Sequence, residues 1–399
     1  MTAVYLDHAA TTPVRDEVRV AMEPYLARVF GNPSSSHRWG REAAAALEGA
    51  RAELAEAVGA APSEMRFVRG GTESDNLAIV GSCRARRGEA TAAGGDSGAG
   101  ALSRPGVSRL AVTRIEHSAV LEAAEHLEAT GEATLSRIDV AADGSVDIDA
   151  AVEAAREGRA TVSVMWVNNE TGLILPVEEV RQAVSPYRAT VHSDASQAIG
   201  KVPVSVKDVP VDLLTGTGHK INGPRGMGFL FVREGTPLSP LLHGGGQERA
   251  LRPGTEDVAS AVGLARAVRL AVEERASFAA RAEALRSRLE VGLRAVEGMR
   301  VNCGSGPRAA HVSSIGIPGI ADGEGLLMAL DLEGVAVSGG SACHSGAGKA
   351  SHVIAALYGP DDDAATVRYS FGRSTTEAEV DRAIEATILL VRRLSVAAA

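Results

Sequence analysis

The sequence predicts an α/β protein, a mainly parallel sheet flanked by helices followed by a smaller α+β domain. Two observations carry that reading. Short apolar runs alternate with longer helical patterns through the first two thirds of the 399 residues, as strands joined by crossover helices do. A long helical pattern, roughly Val258 to Val296, then leads into a region of shorter alternating runs. A chain of this length can bury large cores in two domains.

In chain order, a helical pattern over Arg41–Val58 precedes a candidate strand at Met65–Arg69, which passes through Gly70-Gly71 into a candidate helix over Glu73–Arg86. Gly88–Gly106 is rich in Gly, Ala and Ser without periodicity, and reads as a flexible surface insertion. Strand Arg109–Thr113 and helices Ala119–Ala129 and Asp149–Glu157 follow, then strand Thr161–Val167 and helix Val177–Val184. Three further apolar runs, Thr190–Ser193, Leu213–Thr215 and Gly228–Val232, complete the candidate strands. The hinge is expected near Gly254 to Val258. Beyond it, runs near His311–Gly316 and Gly334–Ser338 and a closing helix Glu377–Leu394 make the smaller unit, and no internal repeat is evident.

Composition narrows the function. Apolar residues at 45% and charged residues at 23% suit a globular protein in water. A formal net charge of −9 argues against a nucleic-acid backbone as direct partner. The start Met1-Thr2-Ala3-Val4-Tyr5-Leu6-Asp7-His8 lacks the basic-then-apolar pattern of a signal peptide, and no apolar run approaches a membrane span. Three cysteines, Cys83, Cys303 and Cys343, are far apart and suit neither a disulfide framework nor a zinc site. A reducing cytoplasm is therefore expected, where a thiol survives as a reagent.

Lysine is scarce: of 41 basic residues only Lys201, Lys207, Lys220 and Lys349 are lysines. Arginine stays protonated under working conditions, whereas lysine sheds its proton when its surroundings depress its pKa. Lys220 sits in Thr215-Gly216-Thr217-Gly218-His219-Lys220, after an apolar run and beside His219. A Schiff base with an aldehyde cofactor would explain it; a surface lysine at a strand end would explain it if it stood alone.

Its neighbours along the chain weigh against standing alone. Arg69-Gly70-Gly71-Thr72-Glu73 follows a strand and opens a helix, so backbone N–H groups and the Thr72 hydroxyl make either a phosphate cradle or an ordinary N-cap. Asp194, in Ser193-Asp194-Ala195-Ser196-Gln197, ends a strand and either holds a protonated heterocyclic nitrogen, with Gln197 on another polar atom of that ring, or caps a helix. Taken together, Lys220, Asp194 and the cradle supply the three handles of pyridoxal 5′-phosphate: Schiff base, pyridinium partner and phosphate site. His117 also follows a strand and either stacks on a planar cofactor or is structural, and Asn168-Asn169 end another strand with amides able to bind a carboxylate.

Ser338-Gly339-Gly340-Ser341-Ala342-Cys343-His344-Ser345-Gly346 is the second distinctive run. Glycines on both sides of Cys343 make a mobile polar loop, the setting of a nucleophile more than of a core thiol. An unperturbed thiol of pKa about 8.5 is only a few per cent thiolate at neutral pH, and His344 either assists or is simply solvated. Arg368, in Val367-Arg368-Tyr369-Ser370, either forks onto a substrate carboxylate or forms a surface ion pair. Cys83 and Cys303 read as bystanders.

These motifs in this order, with Tyr5-Leu6-Asp7-His8-Ala9-Ala10-Thr11-Thr12-Pro13, Phe30-Gly31-Asn32-Pro33-Ser34-Ser35 and His243-Gly244-Gly245-Gly246-Gln247-Glu248, make a chain that nearly end to end resembles the cysteine desulfurases of the class V aminotransferase family. The resemblance implies fold type I, with a large domain of seven-stranded type over 14–257 and a small domain made of 1–13 and 258–399 that carries the cysteine loop. It implies Lys220 as the cofactor's lysine, Asp194 on the pyridinium nitrogen, His117 stacked on the ring, Gln197 on the ring oxygen, and Gly71, Thr72, Thr217 and His219 around the phosphate. Thr255 would reach the phosphate of a partner subunit in a homodimer. Asn169 and Arg368 would bind the carboxylate of L-cysteine, and Cys343 would take the sulfur and pass it to an acceptor protein for iron–sulfur cluster assembly, tRNA thiolation or sulfuration of DNA or metabolites. Thr217 stands where the family more often has serine, and His344 where a small hydroxyl residue is common. The alternatives on the same scaffold are selenocysteine lyase chemistry or another β-elimination, and, outside enzymes, a scaffold protein using Cys343 and His344 as ligands.

Overall fold

The computed structural model describes residues 3–93, 107–156, 158, 160–320, 322–339 and 351–397. The chain opens with a short strand β1 (Val4–Tyr5), helices α1 (Asp16–Ala27) and α2 (Arg38–Val58), strand β2 (Met65–Val68) and helix α3 (Gly71–Ala93). It continues through β3 (Ser108–Thr113), α4 (Ser118–Ala129), β4 (Ala133–Ile138), α5 (Ile148–Arg156), β5 (Ala160–Ser163) and α6 (Val177–Val184) to β6 (Thr190–Asp194), β7 (Leu213–Thr217) and β8 (Gly228–Val232). The long helix α7 (Val258–Leu293) leads to β9 (Arg300–Val301), β10 (Val312–Ile317), α8 (Gly323–Leu332), β11 (Val335–Ala336), α9 (His352–Tyr358), β12 (Ala365–Ser370) and α10 (Glu377–Ala397).

Seven strands form the central sheet in the order β2-β8-β7-β6-β5-β3-β4. From β7 to β4 all neighbours run parallel, while β8 is antiparallel to both β7 and β2. Strands β5, β6, β7 and β8 are buried along their whole length, as strands covered on both faces by helices must be. The register sets Asp194 opposite Thr215. The carboxyl ends of β6 and β7 therefore lie side by side, where an open parallel sheet binds its ligands.

A second, smaller sheet, β12-β10-β9, is antiparallel, and its core joins Leu285, Leu289, Leu293, Ile315, Val367 and Tyr369 to Val4 and Leu6. The N-terminus is drawn there by the parallel pairing of β1 with β11 and by a bridge from Asp7 to Ser370. Helix α7 serves both cores: Ala261, Leu264 and Val268 pack in the large one and Leu285 to Leu293 in the small one.

Several elements depart from the sequence expectation. Helix α3 runs on to Ala93, so residues 88–93 are helical where the insertion was expected to begin; residues 94–106 lie outside the described set. The strand expected over Thr161–Val167 spans Ala160–Ser163, and the chain past it is held to β6 by single bonds, Val164 N to His192 O and Trp166 N to Asp194 O. Strand β4 and helices α1, α8 and α9 were not foreseen.

Candidate active site

A cleft of about 290 Å³ opens at the carboxyl edge of the central sheet. Ten of the anticipated residues line it: Gly71, Thr72, His117, Asn169, Asp194, Gln197, Thr217, His219, Lys220 and Arg368. Thr255 does not; it is exposed on the loop before α7. That loop is tied to the start of α3 by Arg252 with Glu73 and Arg69 with Asp257, each at 2.9 Å. Cys343 and His344 fall in 340–350, outside the described residues.

Lys220 follows β7 in a single helical turn, and its Nζ donates to the carbonyls of Ala9 and Ala10 at 2.6 and 2.8 Å. The N-terminal strand thus delivers its His8-Ala9-Ala10 segment across the sheet edge to face the lysine. Asp194 closes β6, and its Oδ1 accepts from the Ser196 N–H at 2.8 Å.

Behind Asp194 lies a buried acidic group. Burial, with the negative charge of Asp194 added, raises Glu116 to about 8 and lifts Asp75 well above the ordinary carboxylate range. Both side chains are enclosed, and Glu116 is therefore mostly a neutral acid at neutral pH. His192, fully buried between Ser163 (2.9 Å) and Thr215 (3.1 Å), is pulled down to about 4 by burial and stays neutral.

His117 caps α4, its Nδ1 accepting the Ala119 N–H at 3.1 Å. That bond makes Nδ1 an acceptor, so in the neutral ring the proton sits on Nε2. Burial lowers its pKa, with the positive charge of Lys220 helping and the charge of Asp194 opposing. His219 is likewise lowered to about 4 by burial and by Lys220.

At the far side of the cleft Arg368 is held from two directions. Its Nη2 meets Asp7 Oδ1 at 2.7 Å and its Nη1 the Asn169 carbonyl at 2.8 Å, while its buried Nε has no hydrogen-bond partner among the described residues. Asn168 fixes the turn that presents Asn169, its Oδ1 accepting from the Glu170 and Thr171 N–H groups at 3.0 and 2.9 Å.

The phosphate cradle sits where α3 begins. Gly70 turns the chain at φ 94°, a conformation that favours glycine, and a Cβ at Gly71 would come within 3.3 Å of Ser196 Oγ. Ser196 Oγ is buried and has no hydrogen-bond partner among the described residues. An unpaired hydroxyl facing the amino end of a helix, beside Thr72 and Thr217, fits an anionic group. With Lys220 and Asp194 in the same cleft, the donor set fits pyridoxal phosphate. The sequence assigned no role to Ser196, two residues after Asp194, or to Asp75 in the helix that opens with Gly71-Thr72; neither residue type carries a signal of its own.

Both flanks of the Cys343 segment touch this site. On one side Ser338 pairs with Arg368, its N–H donating to the Arg368 carbonyl at 3.3 Å. On the other, Ser351 caps α9 and donates to Glu170, and His352 lines the cleft with its Nε2 3.0 Å from the Glu116 carbonyl. The two described cysteines are buried, and burial raises both thiols, Cys83 to about 12.

The Aminotransferase class-V family model matches residues 4–95 and 99–383. The cysteine desulfurase of Cereibacter sphaeroides is 40% identical over 397 residues, covering 99% of this chain and 97% of that protein. Cysteine desulfurase IscS of Dictyoglomus turgidum is 39% identical, covering 98% and 95%. A solved NifS-like protein superposes with a TM-score of 0.85 at 34% identity, over 98% of this chain and all of that one.

Proposed function

The chain belongs to the class-V aminotransferase family, among its pyridoxal-phosphate-dependent cysteine desulfurases, and from that membership we propose that it converts L-cysteine to L-alanine, with the sulfur passing to Cys343 as a persulfide and from there to an acceptor protein. The observation that carries the reading is the convergence of Lys220, Asp194, the Gly71–Thr72 helix start and Arg368 on one cleft.

Bound through Lys220, pyridoxal phosphate supplies an electron sink conjugated to the substrate's Cα. The residues around it divide the remaining work. Asp194 would hold a proton on the ring nitrogen, and neutral His117 would stack on the ring. Gln197 would donate its amide N–H to the ring oxygen, and Gly71, Thr72, Ser196, Thr217 and His219 would surround the phosphate. Arg368 and Asn169 orient the substrate carboxylate; the substrate displaces the weaker of the contacts that now occupy the guanidinium. Lys220 Nζ, once the substrate's amine has replaced it, takes the Cα proton. The Cys343 thiolate attacks the substrate sulfur: an S–S bond forms, the Cβ–S bond breaks, and its electron pair returns to the carbon that leaves as the methyl group of alanine. The net exchange is L-cysteine plus a Cys343 thiol giving L-alanine plus a Cys343 persulfide.

The raised thiols of Cys83 and Cys303 support Cys343 as the nucleophile, because a buried thiol is a poor one. Exposed Leu26, Phe30 and Trp39, together with Thr255 lying outside the cleft of its own chain, support a homodimer in which Thr255 completes the partner's phosphate site. No helix among the described residues is long and apolar enough to cross a membrane. The acceptor would serve iron–sulfur cluster assembly, tRNA thiolation or sulfuration of DNA or metabolites, with the enzyme working in the reducing cytoplasm, where a thiol survives as a reagent. Two variants test the assignment. Lys220→Ala is expected to lose the covalent cofactor band and all turnover, and retained turnover would overturn its role. Cys343→Ser is expected to keep the band yet hold no persulfide by alkylation and mass spectrometry, and persulfide found on another cysteine would reassign the nucleophile.

A further inference from the structure

Lys201 is one of only four lysines and its side chain is buried. The chain leaves β6 through a helical turn, with Ala198 and Ile199 N–H donating to the Ala195 carbonyl at 2.8 and 3.0 Å. Gly200 then turns at φ 70°, pressed against α7 where a Cβ would collide with Ala271. Lys201, the next residue, donates from Nζ to Gln197 Oε1 at 3.0 Å. His311, at the foot of β10, places Nε2 3.1 Å from the same oxygen. On the other end of that amide, Gln197 Nε2 donates to the Ala9 carbonyl at 2.8 Å.

A primary amide has one acceptor end and one donor end. Two donors grip the acceptor end and a carbonyl takes one of the two N–H groups, leaving the second for the cleft that Gln197 lines. Burying an amine is costly, and the charges that bear most on Lys201 are those of Lys220 and Arg368, both positive. A cavity of about 50 Å³ behind it is lined by His8, His311 and the ion-paired Arg15, Glu274 and Arg373. Lys201 in turn disfavours protonation of His8 and His311. Burial pulls Lys201 down to about 7, and the amine donates N–H in either protonation state. A buried amine held this way adds little to stability, and its hydrogen-bond partner Gln197 is a residue of the site.

We propose that Lys201, together with His311, is a positioning residue that fixes the Gln197 amide so that its N–H faces the cofactor's ring oxygen. The inference rests on the role given to Gln197 above. A donor to that oxygen stabilises its anionic form. Removing the donor therefore raises the pH at which the proton shared between the ring oxygen and the lysine linkage is lost.

The test is a pH titration of the visible absorption band of the cofactor-loaded protein, without substrate. Lys201→Met, apolar and of similar length, is expected to raise the midpoint by about one pH unit, a tenfold change in the proton equilibrium. Gln197→Leu is expected to raise it at least as far, and the double variant no further than Gln197→Leu alone. An unmoved midpoint in Gln197→Leu would overturn the role of Gln197 itself. A shift in Gln197→Leu but none in Lys201→Met, or full addition of the two shifts in the double variant, would overturn the positioning role while leaving Gln197 in place. Should Lys201→Met fail to load the cofactor, His311→Phe removes the other donor to the same oxygen and must move the midpoint in the same direction; no movement there would overturn the inference too.

Discussion

Glu116 keeps its proton at neutral pH because it is enclosed and faces the charge of Asp194, which together raise it to about 8. The folded protein thus binds a proton that the unfolded chain has already released. Its favourable linkage is fully present below about pH 4.5, where both states are protonated, and is lost as pH rises toward 8. His192 and His8 act in the opposite sense: both are depressed to about 4, so stability present above about 6.5 is lost as pH falls through 4. Glu116→Gln removes the first term alone. Thermal melts at pH 5 and pH 8 are expected to show the variant gaining several degrees on the parent protein at pH 8 relative to pH 5; equal pH dependence of the two would show Glu116 to be ionised in the fold. In the sequence Glu116 was visible only as the neighbour of His117, since its character depends on Asp194 from another strand. Lys220 and Asp194 were legible because a scarce lysine and a strand-ending carboxylate carry their chemistry in their residue type.

At the scale of elements, the turn over Gln247–Ala250 shows how two distant pieces of the chain are locked. Glu248, Arg249 and Ala250 all have positive φ, from 46° to 62°, an unfavourable conformation for residues with side chains. The turn is held by a buried pair in which Arg51 of α2 meets both Glu248 oxygens at 2.7 and 2.8 Å, with the Phe67 N–H donating to Glu248 at 2.9 Å. Arg51→Met leaves the Glu248 carboxylate buried without its cation, which costs about 3–5 kcal/mol; urea unfolding of the cofactor-loaded variant should read a loss of that size. A loss under about 1 kcal/mol, the range of an exposed pair, would mean that the pair is not closed off from water. Neither partner is identifiable in the sequence, where 197 residues separate them. Strand β4 escaped notice for a local reason: at the sheet edge only its end residues are fully buried, so Ala133–Ile138 shows no apolar run. Helix α3 overran its expected end because Gly88-Glu89-Ala90-Thr91-Ala92-Ala93 mixes alanine with loop-like residues, and propensity alone does not separate the two.

For the whole molecule, the two cores meet at the site: the N-terminal strand crosses from the small core to Lys220, and Arg368 of β12 closes the cleft from the other side. The α/β architecture and its smaller companion were legible from alternation alone, because buried parallel strands are nearly continuous apolar runs. The route of the first residues into the small core was not, since two-residue strands leave no periodicity. Dimerisation is a prediction at this scale. The protein is expected to sediment as a homodimer at micromolar concentration, and Phe30→Glu, which places a charge on an exposed apolar side chain, is expected to shift it toward monomer at least tenfold in the dissociation constant. An unchanged dimer would move the interface elsewhere. The most direct measurement for the central claim is the yield of alanine and of sulfide from L-cysteine, using the purified cofactor-loaded protein with a reducing thiol. Equal molar yields of the two are predicted; sulfide accompanied by pyruvate in place of alanine would mean β-elimination and would contradict the account, leaving Cys343 without its proposed part.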